Sequence, residues 1–298
     1  MSSPSSSISL IKKVYQNTGI FLKTQPKLVV PFAIFAAVEA LVLFFFFLAP
    51  REPFISFMGP IISRLWGDAY LHYPTNFLLL PRLGSISRMF LAVVLSSLLT
   101  GMAVFLVAKV RNKEQVNLKE AFIQAVKRYL SLLIIVGLLV VFFYVSVKAF
   151  SFLVVKYFTA TGQTRLLWMK PAIWFGPISL AVNFFIALII QSLFVYAIPF
   201  LMIGKEKLVK AIIRSLVLFK RLFLPTLVLV GIPLLLYVPI TILEQNSAFL
   251  IQRVFPEFIL IVLLLGIAIS SLAVSYTHLR AHETPLQLVC RLLLEKKT

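Results

Sequence analysis

Apolar residues in this chain come in long runs separated by shorter polar stretches. The runs fall at 28–48, 86–108, 130–155, 175–203, 222–243 and 257–273. A helix needs roughly 20 apolar residues to cross the hydrocarbon core of a bilayer. Every backbone N–H and C=O in that core must be bonded within the protein, so single apolar runs of this length predict helices. The pattern predicts an all-α polytopic membrane bundle of six transmembrane helices, with 28–273 forming one membrane domain. The sixth run is the shortest and breaks off near Ala273.

Between the runs lie segments that are amphipathic rather than apolar. Residues 8–22, 118–129 and 205–221 each mix basic and aliphatic residues and lead into an odd-numbered run. Each predicts a helix lying in the membrane interface. The stretches LKEAFIQAVKRYLSLLIIVGLL and KLVKAIIRSLVLFKRLFLPTLVLVGIPLL share the same plan, and SLIKKVYQNTGIFLKTQPKLVVPF follows it more loosely. An amphipathic helix plus two spans, used three times, accounts for this. Convergence among hairpins with basic ends accounts for it too, and the sequence leaves both open. The longest connection, 49–85, holds Trp66, Tyr70 and Tyr73 and predicts a further interfacial helix on the opposite face. Trp168 and Trp174 extend that aromatic belt.

Composition strengthens the membrane reading. Sixty per cent of residues are hydrophobic and 13% are charged, with a mean hydropathy of +1.00. Soluble domains are nearer half apolar and a quarter charged. The formal net charge is +19, and its placement matters more than its size. Residues 1–27 and the connections 109–129 and 204–221 carry sixteen Lys and Arg, against seven in the alternate connections. Cytoplasmic loops are the basic ones. The bias predicts a cytoplasmic N-terminus, with 1–27 a basic cytoplasmic segment. Lys12, Lys13, Lys127, Arg128, Lys210, Arg214, Lys220 and Arg221 are the expected topology and lipid-headgroup residues, and anionic headgroups the expected partner. Nucleic acid is not, because no folded basic face with base-reading elements is visible.

The last residues, 274–298, read VSYTHLRAHETPLQLVCRLLLEKKT. Two constant blocks flanking a short variable stretch resemble a sequencing adapter translated in one frame. The tail is expected to be read-through rather than native protein, and the gene truncated, with a C-terminal soluble domain one possible loss. It holds Cys290, the one cysteine, together with His278 and His282. Setting it aside leaves His72 as the one histidine and removes any thiolate or Cys/His metal chemistry.

Candidate chemistry then rests on a few polar residues. Glu39 lies in the middle of the first run, where a charge costs about 3 kcal/mol on insertion scales and an acid is by default a functional candidate. A structural interhelical bond among Ala33, Ala36, Ala37 and Ala40 is the blander alternative. Asn183 and Gln191 are eight residues apart, hence on one helical face, and could line a cavity facing Glu39. Interhelical bonding is again the plainer use. Lys148 is expected to snorkel, and a pairing with Glu39 lacks a depth match. Pro233 and Pro239 share one run and predict a kink. Asp68 and His72 are four apart but too few for a metal site, and no metal or cofactor is expected. No HExxH, P-loop or GxSxG motif occurs, so no catalytic residue is assigned.

The chain resembles a group of bacterial six-span proteins that includes the YciC-like membrane proteins and the membrane domain attached to some glycerophosphodiester phosphodiesterases. The basic segment 205–221 entering Pro225, the parallel segment 118–129 and the Lys-Thr-Gln-Pro at 23–26 carry the resemblance, which spans about 8–273. It implies a helical bundle in the bacterial cytoplasmic membrane and no assigned reaction. Two functions are expected from the whole. The first is a non-enzymatic scaffold or lipid-interacting accessory protein. The alternative is a small transporter or lipid translocator using Glu39, with Asn183 and Gln191.

Overall fold

The computed structural model of the chain describes residues 26–112, 114–160 and 171–272. The predicted N-terminal helix 8–22 with Lys12 and Lys13, Trp168, and the tail 274–298 lie outside the described residues. Within them the fold is all-α.

The first span, α1, runs Val30–Leu48 behind a 3-10 turn at Pro26–Leu28, with Pro31 in its first turn. A proline costs little there, because the missing N–H has no intrahelical partner in any case. Helix α2, Ile55–Trp66, forms within the 49–85 connection. Phe57, Ile61 and Leu65 form an exposed ridge at four-residue spacing, while Ile62 is buried against Ala49 and Leu79. The second span is longer than its apolar run. It comprises α3, Leu79–Leu91, a π-helical turn at Ala92–Ser96, and α4, Ser97–Arg111. The remaining helices are α5 Leu118–Lys127, α6 Tyr129–Ala160, α7 Pro171–Phe194, α8 Ala197–Met202, α9 Leu208–Arg221, α10 Phe223–Gln245, α11 Ser247–Arg253 and α12 Phe258–Leu272.

Five helices are long and apolar enough to cross a membrane. They correspond to the first five predicted runs. The sixth run forms α12, an apolar helix that is shorter than a crossing within the described residues. Two other predicted boundaries shift. The run 175–203 is broken after Phe194, where a turn separates α7 from α8. The run 222–243 extends to Gln245, which takes Glu244 into the helix.

The spans are apolar on the outside. Only 11% of the apolar window of α6 and 22% of that of α1 are buried within the protein. Leu41, Phe90, Phe152, Phe185 and Leu236 all lie exposed. A surface of this kind is stable only where the solvent is hydrocarbon, since water would charge about 25 cal/mol for each Å² of it. The protein is a multi-pass membrane protein.

Small residues set the closest approaches. The largest core joins α4 through Met102 and Leu106, α5 through Ala121 and Ala125, α6 through Leu132 and Ile135, and α8 and α9 through Leu201 and Ala211. A Cβ on Gly101 would stand 2.5 Å from Leu132 Cδ1 and 3.6 Å from Ala125 Cβ. Within the π turn beside this core, Val94 O accepts from Tyr129 Oη at 3.0 Å and from Ser97 Oγ at 3.1 Å. At the α7–α8 break, Tyr196 Oη lies 2.8 Å from Thr226 Oγ1, which donates to the Leu222 carbonyl.

The two described amphipathic segments are built alike. Leu118, Ala121 and Ala125 of α5 match Leu208, Ala211 and Ser215 of α9 from the first residue onward. Both helices bury the small residues and expose Ile123 and Val126, or Ile213 and Leu216. Each then reverses through one residue of similar conformation, Arg128 (φ −115°, ψ 11°) and Leu222 (φ −115°, ψ 35°), and enters the next span. Both contribute to one core and lie at the same end of the bundle as Leu28. The likeness of the two segments thus extends from hydropathy to packing.

Substitution Gly101→Leu is expected to overpack the α4–α6 contact and cost about 1–3 kcal/mol. Thermal unfolding of the detergent-solubilised protein measures it.

Candidate functional site: a buried carboxylate–guanidinium cluster

Glu39 does not stand alone in its span. It projects from the middle of α1 with its side chain 4% exposed, and Arg88 of α3 brings Nε to 3.3 Å from its Oε1. The same guanidinium reaches α10. Its Nη1 and Nη2 lie 3.5 Å from Glu244 Oε1, and Nη1 also donates to Tyr237 Oη. Tyr237 Oη in turn donates to Glu244 Oε1 at 3.4 Å. Arg88 thus ties α1 to α10 through α3, with a carboxylate on either side.

Local sequence explains why these groups meet. Tyr237 and Glu244 are seven residues apart, so two helical turns place them on one face of α10. Pro239 lies between them and removes one backbone hydrogen bond from the intervening turn. Arg88 occupies the turn just before the π-helical segment at Ala92–Ser96. The fourth wall is α12. A Cβ on Gly266 would stand 2.9 Å from Ile240 Cγ2, 3.6 Å from Glu244 Oε1 and 3.7 Å from Tyr237 Cε2. Glycine therefore lets the α12 backbone close on the cluster. Ser271 Oγ of α12 donates to the Phe32 carbonyl of α1 at 3.1 Å, which ties the same helix to α1. Leu43, Leu80, Leu263 and Ile267 pack nearby in one apolar core.

The two carboxylates are treated differently. Glu244 accepts hydrogen bonds from Arg88 and Tyr237 and is 19% exposed. Glu39 is within ion-pair distance of Arg88, yet both its oxygens are buried without a hydrogen-bond partner. The Nε contact has the distance of an ion pair without the alignment of a hydrogen bond.

The other sequence candidates lie elsewhere. Asn183 and Gln191 are on α7, which packs against α6, α9 and α10. The groups within ion-pair reach of Arg88 beside Glu39 come from α1 and α10, not from α7. Asn183 Oδ1 is buried without a hydrogen-bond partner. Lys148 is exposed, with Nζ 5.6 Å from the Tyr144 ring centroid, and does not pair with Glu39. Asp68 and His72 do not share an α-helical face, because α2 ends at Trp66 and Gly67 turns the chain at φ 98° into a 3-10 helix.

Among the expected headgroup residues, Lys127, Lys210, Lys220 and Arg221 are exposed at the ends or outer face of α5 and α9. Arg128 and Arg214 are partly engaged within the protein instead. Arg128 Nη1 donates to the Leu201 carbonyl, and Arg214 pairs with Glu206. Arg128 is half-buried, whereas Arg214 stays exposed while paired. Lys109 is held by Glu120 at 2.6 Å and Glu114 at 3.5 Å.

Arg88, Tyr237 and Glu244 are the cluster members that sequence reasoning missed. Arg88 sits just inside the second apolar run and Glu244 just beyond the fifth, so each reads as a boundary residue. The available signal was that an acid buried in one span calls for a cation within another.

No family model, curated protein or solved structure matches the chain.

Arg88→Ala removes the one cation between two carboxylates. It is expected to cost about 3–5 kcal/mol, the usual result of breaking a buried pair from one side. Tyr237→Phe removes a single hydroxyl and is expected to cost about 1 kcal/mol. Equilibrium unfolding in mixed micelles compares the two, and equal losses would contradict the central role of Arg88.

Proposed function

We propose that this protein is a non-enzymatic, lipid-interacting accessory protein of a bacterial cytoplasmic membrane, with its N-terminus in the cytoplasm. The observation that carries this reading is the pair of helices α5 and α9. Both are fastened to the bundle by small residues, and both leave an outer surface of aliphatic and basic side chains. On α9 that surface comprises Val209, Lys210, Ile213, Leu216, Val217 and Lys220. On α5 it includes Phe122, Ile123, Val126 and Lys127.

A helix of this type lies in the plane of the interface. Its aliphatic side chains enter the acyl boundary and its basic ones reach the phosphates. Lys and Arg stems also cover apolar surface while their charged heads remain among the headgroups. Lys109, Arg128 and Arg214 have partners inside the protein, and the exposed Lys127, Lys210, Lys220 and Arg221 supply the attraction to anionic lipid. The bias of sixteen basic residues against seven supports the cytoplasmic assignment of this end. Membership of the YciC-like six-span group belongs to the same proposal, supported by the matching plans of 118–129 and 205–221.

The test replaces Lys127, Lys210, Lys220 and Arg221 together with Gln in the full chain. Thermal stability is read in micelles containing phosphatidylglycerol or phosphatidylcholine. The parent is expected to be stabilised by the anionic lipid, and the variant to lose about 1 kcal/mol of that preference for each charge removed. A parent indifferent to lipid charge would sink the reading.

A further inference from the structure

The lipid-facing helices leave the cluster around Glu39 unused, and its charges do not balance. Two carboxyl groups, Glu39 and Glu244, face one guanidinium. Arg88 and Glu244 are the charged groups facing Glu39, and these two together with Glu39 face Tyr237. The described part of α12 contributes no ionisable side chain, since Phe258–Leu272 contains none. With both acids ionised the cluster would carry one uncompensated negative charge. Burying such a charge costs several kcal/mol even after relaxation.

We propose that Glu39, Arg88, Tyr237 and Glu244 form a buried binding site for one exchangeable proton. The proton adds to a Glu39 carboxylate oxygen and forms the neutral acid. Arg88 and Glu244 remain as a balanced ion pair. The hydrogen bonds already divide the two acids in this way. Glu244 Oε1 receives the guanidinium and the Tyr237 hydroxyl, whereas neither Glu39 oxygen has a donor. A buried carboxylate without donors is the costly form, and a carboxylic acid carries a donor of its own.

A proton fits the site better than a metal cation does. An alkali or alkaline-earth ion needs a cage of several oxygen ligands. Here the space between the carboxylates is taken by the guanidinium, and among the described residues no group of three His, Cys, Asp or Glu could hold a metal. Because the site joins α1, α3, α10 and α12, losing the proton would leave a repulsive charge at the junction of four helices. This inference stands apart from the lipid-docking proposal, since none of the four residues belongs to α5 or α9.

Charge balance makes the proton count testable by infrared spectroscopy of the full chain in vesicles at neutral pH. The protonated carboxyl stretch reports the neutral acid directly. The parent is expected to show a carboxylic-acid band equal to one group. Glu39→Gln and Glu244→Gln should each abolish it, because either leaves one acid opposite one guanidinium. Arg88→Gln should double it, because two acids then lack a cation. Glutamine is isosteric with glutamate, and circular dichroism with size-exclusion chromatography checks that each variant, Arg88→Gln included, retains its fold. A parent with no such band overturns the proposal without reference to any variant. So does a band that survives both glutamate substitutions. A parent band that vanishes when sodium replaces choline at constant pH overturns it as well, and assigns the site to an alkali cation.

Discussion

A charge inside a bilayer has to find its partner within the protein, and that constraint organises this fold around Arg88. Its guanidinium is the group through which α1 and α10 are joined, within ion-pair distance of Glu39 and hydrogen-bonded to Glu244. A planar guanidinium suits this position, since it presents donors in several directions at once and stays charged. Lysine would offer a point charge and could not address Glu39, Glu244 and Tyr237 in the same way. The neighbouring features follow from making room for this contact. Gly266 allows α12 to close over it, and Pro239 sits in the turn between the two α10 residues that reach it.

The bundle has a second anchoring region at its other end, held by packing rather than by charge. Gly101, Ala121, Ala125, Ala211 and Ser215 let helices approach closely, and Leu132 and Leu201 fill the space between them. Hydrocarbon offers no hydrophobic drive for apolar helices to associate, so close van der Waals contact and bonds such as Ser215 Oγ to Leu193 O, at 2.6 Å, hold them together. The amphipathic helices α5 and α9 are mounted on this region. Small residues on their inner face therefore serve two ends. They fasten the helix, and they turn its aliphatic and basic residues outward from the bundle.

The two regions suit different functions. A surface of exposed Lys and Arg beside aliphatic residues is matched to headgroups and needs no internal motion. A buried cluster with an unequal count of acids and bases responds to the supply of protons. Physical separation along the bundle allows one to act without the other, since their residues lie on different helices and in different apolar cores.

The all-α membrane fold was legible in the sequence because hydrocarbon makes runs of apolar residues obligatory. The five long spans, the amphipathic helices α2, α5 and α9, and the buried placement of Glu39 all follow from local pattern. The outward display of Ile123, Val126, Ile213 and Leu216 follows from helical periodicity in the same way. What the pattern cannot express is which side chains meet. Asn183 and Gln191 were the attractive companions for Glu39 because all three lie deep in their spans, yet the charged and hydroxyl groups beside Glu39 come from α3 and α10. Arg88 and Glu244 sit at the edges of their runs, where hydropathy reads them as boundary residues. The helices reach past their apolar runs, with α3 starting at Leu79 and α10 continuing to Gln245, so both residues lie within helices and their side chains meet. Sequence thus determined that a carboxyl would be buried in the membrane. Only the packing of α1 against α3, α10 and α12 decided that an arginine, a tyrosine and a second carboxyl would surround it.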